Sequence, residues 1–137
     1  MGLEQSVIQY ASFEDVKKTT EKNYILINTL PSTEQNCLIY NTVPIENEVT
    51  SVEQAIKNKS IIIIYGYNTN DSTIYKKYKQ IRQQLRHKNV FIYAGGMFEW
   101  LLMQDIYSKD EFITTSNELD ILKYKSISDI NKLLIKN

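Results

Sequence analysis

Short, continuously apolar runs alternate with amphipathic stretches along this chain. Two runs carry the strongest pattern: Ser60-Ile-Ile-Ile-Ile-Tyr65 and Asn89-Val-Phe-Ile-Tyr-Ala94, rich in β-branched and aromatic residues. Such runs predict strands buried on both faces. Between them, Thr73 to Lys88 puts Tyr75, Tyr78, Ile81 and Leu85 on one helical stripe. Lys76, Lys77, Lys79, Arg82 and Arg86 fall on the opposite face. Strand, crossover helix and strand in that order predict a right-handed βαβ unit with parallel strands.

The flanking pattern extends this scheme. Tyr24-Ile-Leu-Ile-Asn28 predicts another buried strand, and Cys37-Leu-Ile-Tyr40 a shorter one after the turn Leu30 to Asn36. Capping-box signatures at Ser12-Phe-Glu-Asp15 and Thr50-Ser-Val-Glu53 predict helices, the second burying Val52, Ala55 and Ile56. Gly95-Gly96 ends a strand and opens a helix from Met97 to Ile106. Phe98, Trp100, Leu101 and Leu102 surround that helix, which predicts burial between the sheet and the C-terminal residues. Two short helices are expected at about 117–123 and 128–135. Strand-helix alternation gives an α/β class with a parallel sheet covered on both faces. No repeat, linker or domain boundary interrupts it. In such sheets ligands bind beyond the carboxyl ends of the strands, which selects the loop after Tyr65 and the Gly95-Gly96 turn.

Composition narrows the function classes. The 137 residues, 42% hydrophobic and 23% charged, suit one globular domain over 1–137. Sixteen basic and sixteen acidic side chains cancel, so no global field recruits nucleic acid or an anionic membrane. No apolar run approaches the roughly 20 residues of a membrane-spanning helix. Met1 to Ser6 lack a charged-then-apolar signal pattern, and the one cysteine, Cys37, suits a reducing compartment, so a cytoplasmic location is expected. One cysteine and one histidine, His87, fall short of a structural zinc set, and no phosphate-loop motif is present. No cofactor or metal is expected. His87 is expected at the surface near a helix end. The abundance of Ile, Asn, Lys and Tyr is the signature of an A/T-rich genome, and Asn-rich loops carry little weight for that reason.

The order Tyr24 to Asn28, Ile61 to Gly66 with a polar loop, then Asn89 to Gly96 with Trp100 four residues on, resembles a rhodanese-like domain. The likeness covers about 8–106, leaving a helical extension over about 107–137. Gly95-Gly96-Met-Phe-Glu-Trp100 carries it most distinctively, and the stretch through Tyr107 is similar to single-domain members from large DNA viruses and protists. The resemblance implies a central parallel sheet of about five strands with helices on both faces. It also implies a loop that, in active members, opens with a cysteine whose thiolate takes sulfane sulfur from an anionic donor. Here Gly66 stands at the cysteine position, and Asp71 stands where an arginine is common. Glycine supplies no nucleophile, and two like charges 4 Å apart repel by roughly 4 kcal/mol at an effective dielectric near 20. The implied protein has no catalytic residue in the loop and is inactive as a sulfurtransferase. The related phosphatases, which need a cysteine and an arginine after five intervening residues, are excluded on the same ground.

What the loop does instead is open on sequence alone. Gly66, Tyr67, Asn68, Thr69, Asn70, Asp71 and Ser72 form the candidate binding site of a module that takes a protein partner. Asp71 and Ser72 have an equally good structural reading as helix caps. Two alternatives stand beside this one: Cys37 as a non-standard sulfur carrier, and polyanion binding through Lys76, Lys77, Lys79, Arg82, Arg86 and Lys88. The basic face reads equally well as the solvated side of a crossover helix, and Cys37 as a small buried hydrophobe. Glu99 and Asp105 have no partner acid in sequence and predict no paired-carboxylate site.

Overall fold

The computed structural model describes residues 7–136, with side chains through residue 134. The expectation about the first six residues lies outside the described residues. Three parallel strands, β1 (Tyr24–Asn28), β2 (Ile61–Tyr65) and β3 (Val90–Ile92), form one sheet in the order β1-β2-β3. The register runs from Tyr24 opposite Ile61 to Asn28 opposite Tyr65, and from Ile62 opposite Val90 to Ile64 opposite Ile92. Among the described residues five α-helices accompany it: α1 (Phe13–Lys17), α2 (Glu48–Lys57), α3 (Ser72–Lys79), α4 (Gly96–Ile106) and α5 (Asp129–Lys136).

Strand alternation sorts the apolar side chains into two cores. Ile27, Ile62, Ile64, Val90 and Ile92 join Val52 and Ala55 of α2 and Ile74 and Tyr78 of α3 on one face. Leu26, Ile63 and Tyr65 project to the other, where Trp100 and Leu101 of α4 meet Phe112 and Tyr124. Trp100 stands edge-on to both Tyr93 and Phe112, at centroid distances of 6.3 and 5.0 Å. The interior of β2 is buried on both sides, which explains its unbroken apolar sequence.

The sheet has three strands, not about five. Cys37–Tyr40 contributes a single antiparallel rung, Ile39 to Thr114. Thr42 donates its amide to Ile39 O (3.1 Å), and Asn41 takes φ 75°, so the chain turns before a second rung can form. The 9–11 segment likewise makes one rung, Tyr10 to Ile92, and then turns at the Ser12 cap of α1. At Ser12 the capping box forms as expected: its hydroxyl accepts from Asp15 N, and Asp15 accepts from Ser12 N. By contrast α2 begins before the Thr50 box, at Glu48. Only Ile121–Tyr124, a 3-10 turn, forms where a helix over 117–123 is expected, whereas α5 closely matches the expected last helix.

The long crossover helix departs most from its pattern. After Lys79 the backbone widens into a π-helical turn over Gln80–Gln84, with Leu85 N bonded to Gln80 O. A wider turn rotates later residues off the 3.6-residue stripe. Leu85 is therefore 44% exposed, whereas Tyr78 and Ile81 are buried. Arg86 then adopts φ 56° and the chain folds back. His87, expected at the surface, is buried instead, with Nε2 2.7 Å from Ser60 O. Leu102 is likewise 40% exposed, so α4 is buried on one side and not all round.

Candidate functional site

The loop 66–72 leaves the carboxyl end of β2 and enters α3. Its first two carbonyls are taken by the start of α4: Met97 N donates to Gly66 O and Phe98 N to Tyr67 O, both at 2.9 Å. This contact requires glycine at 96, which has φ +63° and whose Cβ would lie 2.5 Å from Gly66 O. Gly95-Gly96 therefore serves as the seat on which the loop rests.

Asp71 turns back over the loop. Oδ1 accepts from Thr73 N (3.0 Å) and contacts the Thr73 hydroxyl (2.6 Å), which caps α3. Asp71, not Ser72, is thus the cap; Ser72 is the first residue of the helix and is exposed. Oδ2 accepts from Tyr67 N at 2.9 Å. A Cβ built on Gly66 would meet that same oxygen at 2.3 Å, with Thr29 Oγ1 at 2.8 Å and Ile74 Cγ2 at 2.9 Å. The space beside Gly66 where a side chain would begin is filled by the carboxylate of Asp71.

Asn68 ties the loop to the C-terminal residues. Its amide donates to Tyr124 O (2.7 Å), while Oδ1 accepts from Asn70 N (2.9 Å) and the Ser126 hydroxyl (3.1 Å). Asn68 is buried, and each of its side-chain polar atoms is bonded. The rings of Tyr67 and Tyr124 pack at a centroid distance of 5.8 Å. Burial, followed by the charges of Glu34 and Asp71, pushes the Tyr67 phenol up from its ordinary value. Thr69 and Asn70 form the exposed tip.

A cleft of about 490 Å³ lies between this loop and the C-terminal segment. Tyr67, Asn68, Asn70, Asp71 and Ser72 form one wall; Leu122, Lys123, Lys125, Ser126, Ile127 and Lys132 form the other. The second wall comes from residues some fifty positions downstream, and sequence reasoning missed it. The alternation Lys123-Tyr124-Lys125 beside two serines was the available signal. Lys123 is held by Glu118 (2.6 Å) and Glu34 (3.2 Å), which raise its ammonium pKa. Tyr124 sits in the core below, its phenol pushed up to about 12 by burial.

The other candidate residues lie elsewhere. Cys37 is buried, its thiol directed at Ser116 O (3.3 Å), and it does not line the cleft. On the basic face, Lys77 pairs with Glu48 at 2.7 Å and Arg82 donates to Lys88 O at 2.9 Å, while Lys76, Lys79 and Arg86 are exposed. Glu99 accepts from the buried Tyr93 hydroxyl at 2.6 Å, and burial and this carboxylate together raise the phenol pKa. Among the described residues, no three His, Cys, Asp or Glu side chains gather as a metal site. No helix among them is long and apolar enough to cross a membrane.

A parallel sheet, a loop seated on a Gly-Gly turn and a helix starting at the loop's end are the features by which this fold can be compared. The rhodanese-like domain family matches residues 12–103. This chain is a rhodanese-like protein. Solved structures agree on the fold of the rhodanese-like chain. The As-Sb reductase from Leishmania major is similar with a TM-score of 0.58 at 13% identity, covering 94% of this chain and 99% of that one. The BH2092 protein from Bacillus halodurans gives 0.55 at 17% identity over 74% and 77% of the two chains. The Alr3790 protein from Anabaena sp. gives 0.54 at 17% identity over 90% and 91%. No curated protein sequence matches the rhodanese-like chain.

Proposed function

We propose that this rhodanese-like chain does not transfer sulfur and serves as a binding or regulatory module that takes a protein partner at the mouth of loop 66–72. One observation carries the reading. At Gly66, where the family resemblance puts the sulfur-carrying cysteine, the space for a side chain holds the Asp71 carboxylate, bonded to Tyr67 N. Two requirements of the chemistry are absent together. Glycine cannot form a persulfide, and a loop amide that would face an anionic donor already has an anion of its own.

Neither alternative has comparable support. A persulfide on Cys37 would need the thiol to reach a donor, and that thiol is buried against Ser116. Polyanion binding through the basic face is weakened by the engagement of Lys77 and Arg82 within the fold. The likeness to an As-Sb reductase is one of fold and brings no reaction with it.

A thiosulfate:cyanide assay tests the reading. Purified protein and its Cys37→Ser variant are both expected to give the uncatalysed rate. Wild-type turnover above that rate would overturn the reading, and its loss in Cys37→Ser would place the sulfur on Cys37.

A further inference from the structure

The cleft beside the loop has an uneven balance of charge that points to what it takes. Its two acids are satisfied within the fold: Asp71 by Tyr67 N and Thr73, Glu34 by Lys123. Of its three lysines, Lys123 is spent on Glu34 and Glu118. Lys125 and Lys132 are exposed and make no ion pair among the described residues. The same lining carries two exposed apolar side chains, Leu122 at 64% and Ile127 at 50%. Tyr67 lines the same cleft.

We propose that the cleft docks an acidic segment of a partner protein in which carboxylates flank a large apolar side chain. The apolar side chain enters between Tyr67 and Ile127, and the carboxylates meet Lys125 and Lys132. This inference rests on the reading of the loop mouth as a protein-binding site and specifies the chemistry of the partner. Charge complementarity decides it. With Asp71 already on the loop amide, a partner's acids have no place on the loop wall and must be met from the C-terminal wall. Two unpaired cations suit a pair of carboxylates. A nucleic-acid backbone draws its affinity from many phosphate contacts, often six to ten, and a cleft with two free lysines in a chain of zero net charge offers too few. Tyr67 is also already packed on Tyr124, which takes up part of the ring face a base would stack on.

The test is an NMR titration of the isotope-labelled full chain with a short synthetic peptide that alternates glutamate with leucine and phenylalanine. Amide shifts are expected at Tyr67, Asn70, Ile127 and Lys132, weakening as salt is raised. Changing Lys125→Glu and Lys132→Glu together is expected to lower affinity at least tenfold, whereas Lys76→Glu with Lys79→Glu leaves it unchanged. Both pairs lie on exposed positions, and an unchanged spectrum outside the cleft checks folding. No shift at millimolar peptide would overturn the proposal, as would shifts centred on α3. It would also fall if the reversed-charge variant bound as well as the wild type, or if oligouridylate bound the same residues more tightly than the peptide. None of these outcomes depends on sulfur transfer, so the proposal can fail while the thiosulfate result stands.

Discussion

Replacing Gly66 with alanine should show how fully the loop's space is taken by Asp71. The new Cβ would lie 2.3 Å from Asp71 Oδ2, closer than any real contact, with Thr29 Oγ1 and Ile74 Cγ2 just under 3 Å. The carboxylate can swing away; the backbone of β2, paired on both sides, cannot. On leaving, Asp71 gives up its bond from Tyr67 N, a charged hydrogen bond of about 1.5–3 kcal/mol. It also loosens the cap on Thr73 N, about 0.5–2 kcal/mol. The expected cost of Gly66→Ala is therefore about 2–4 kcal/mol. Asp71→Ala loses the same bonds without the clash and should cost about 2–4 kcal/mol. In the double variant the alanine at 66 meets only a hydroxyl that can rotate and a methyl that can shift. Because the shared bonds are lost only once, the double variant should be more stable than the sum of the singles predicts by about 2–4 kcal/mol. Urea unfolding followed through Trp100, the sole tryptophan, measures all four stabilities. Additivity within about 0.5 kcal/mol would refute the claim that Asp71 occupies the Gly66 side-chain space.

Further expectations follow from the buried phenols and from Asn68. Burial raises the pKa of Tyr65 and Tyr93 above the value near 10 that they regain on unfolding. Groups raised in the folded state contribute full stability below pH ~10 and lose it as pH climbs toward their folded values, about 1.4 kcal/mol per unit each. Tyr93→Phe should flatten the fall of stability above pH ~10 by about that slope, and an unchanged slope in alkaline urea titrations would contradict it. Tyr65→Phe leaves Ile39 N without its buried acceptor and should cost about 1–3 kcal/mol, read as a lowered urea midpoint. Asn68→Ala unties Tyr124 O and Ser126 from the loop. Trypsin should then cut after Lys123 and Lys125 several-fold faster, and equal rates would show that the C-terminal segment is held by other means.

The legible parts of this protein were those set by local pattern. The Tyr24–Asn28 run is a strand with the expected ends and the Ser60–Tyr65 run a strand from Ile61 onward, because residues buried on both faces leave little room for polar interruption. Cys37–Tyr40 has the same composition but not the same fate, since whether a short apolar run finds a second rung depends on the turn at Asn41. Leu85 and His87 were misplaced for a related reason: a π-helical turn changes the angular period, and nothing in the residues Gln80 to Gln84 announces it. At the site, Asp71 was readable as a cap because capping is a local rule. Its second oxygen on Tyr67 N depends on the loop's curvature, and the Asn68–Tyr124 bond joins residues far apart in sequence. Hence the loop could be located in the sequence, whereas its opposite wall could not.

The rung from Tyr10 to Ile92 and a similar one from Thr42 to Leu26, one at each edge of the sheet, have a consequence for how this protein can be approached by others. Beyond β3, the 9–11 segment takes Ile92 O through Ala11 N and supplies Gln9 O to Ile92 N, while Gln9 Nε2 closes on Val90 O. Beyond β1, Val43 N takes Leu26 O. Each crosspiece is too short to be a strand, yet one takes both outward groups of Ile92 and the other the outward carbonyl of Leu26. A foreign strand therefore finds no ladder to extend, which guards a sheet of only three strands against stacking edge to edge with its own kind. The same closure denies a partner the option of adding a strand. The partner proposed above is thereby left the end of the sheet where the loops gather, and not its flanks.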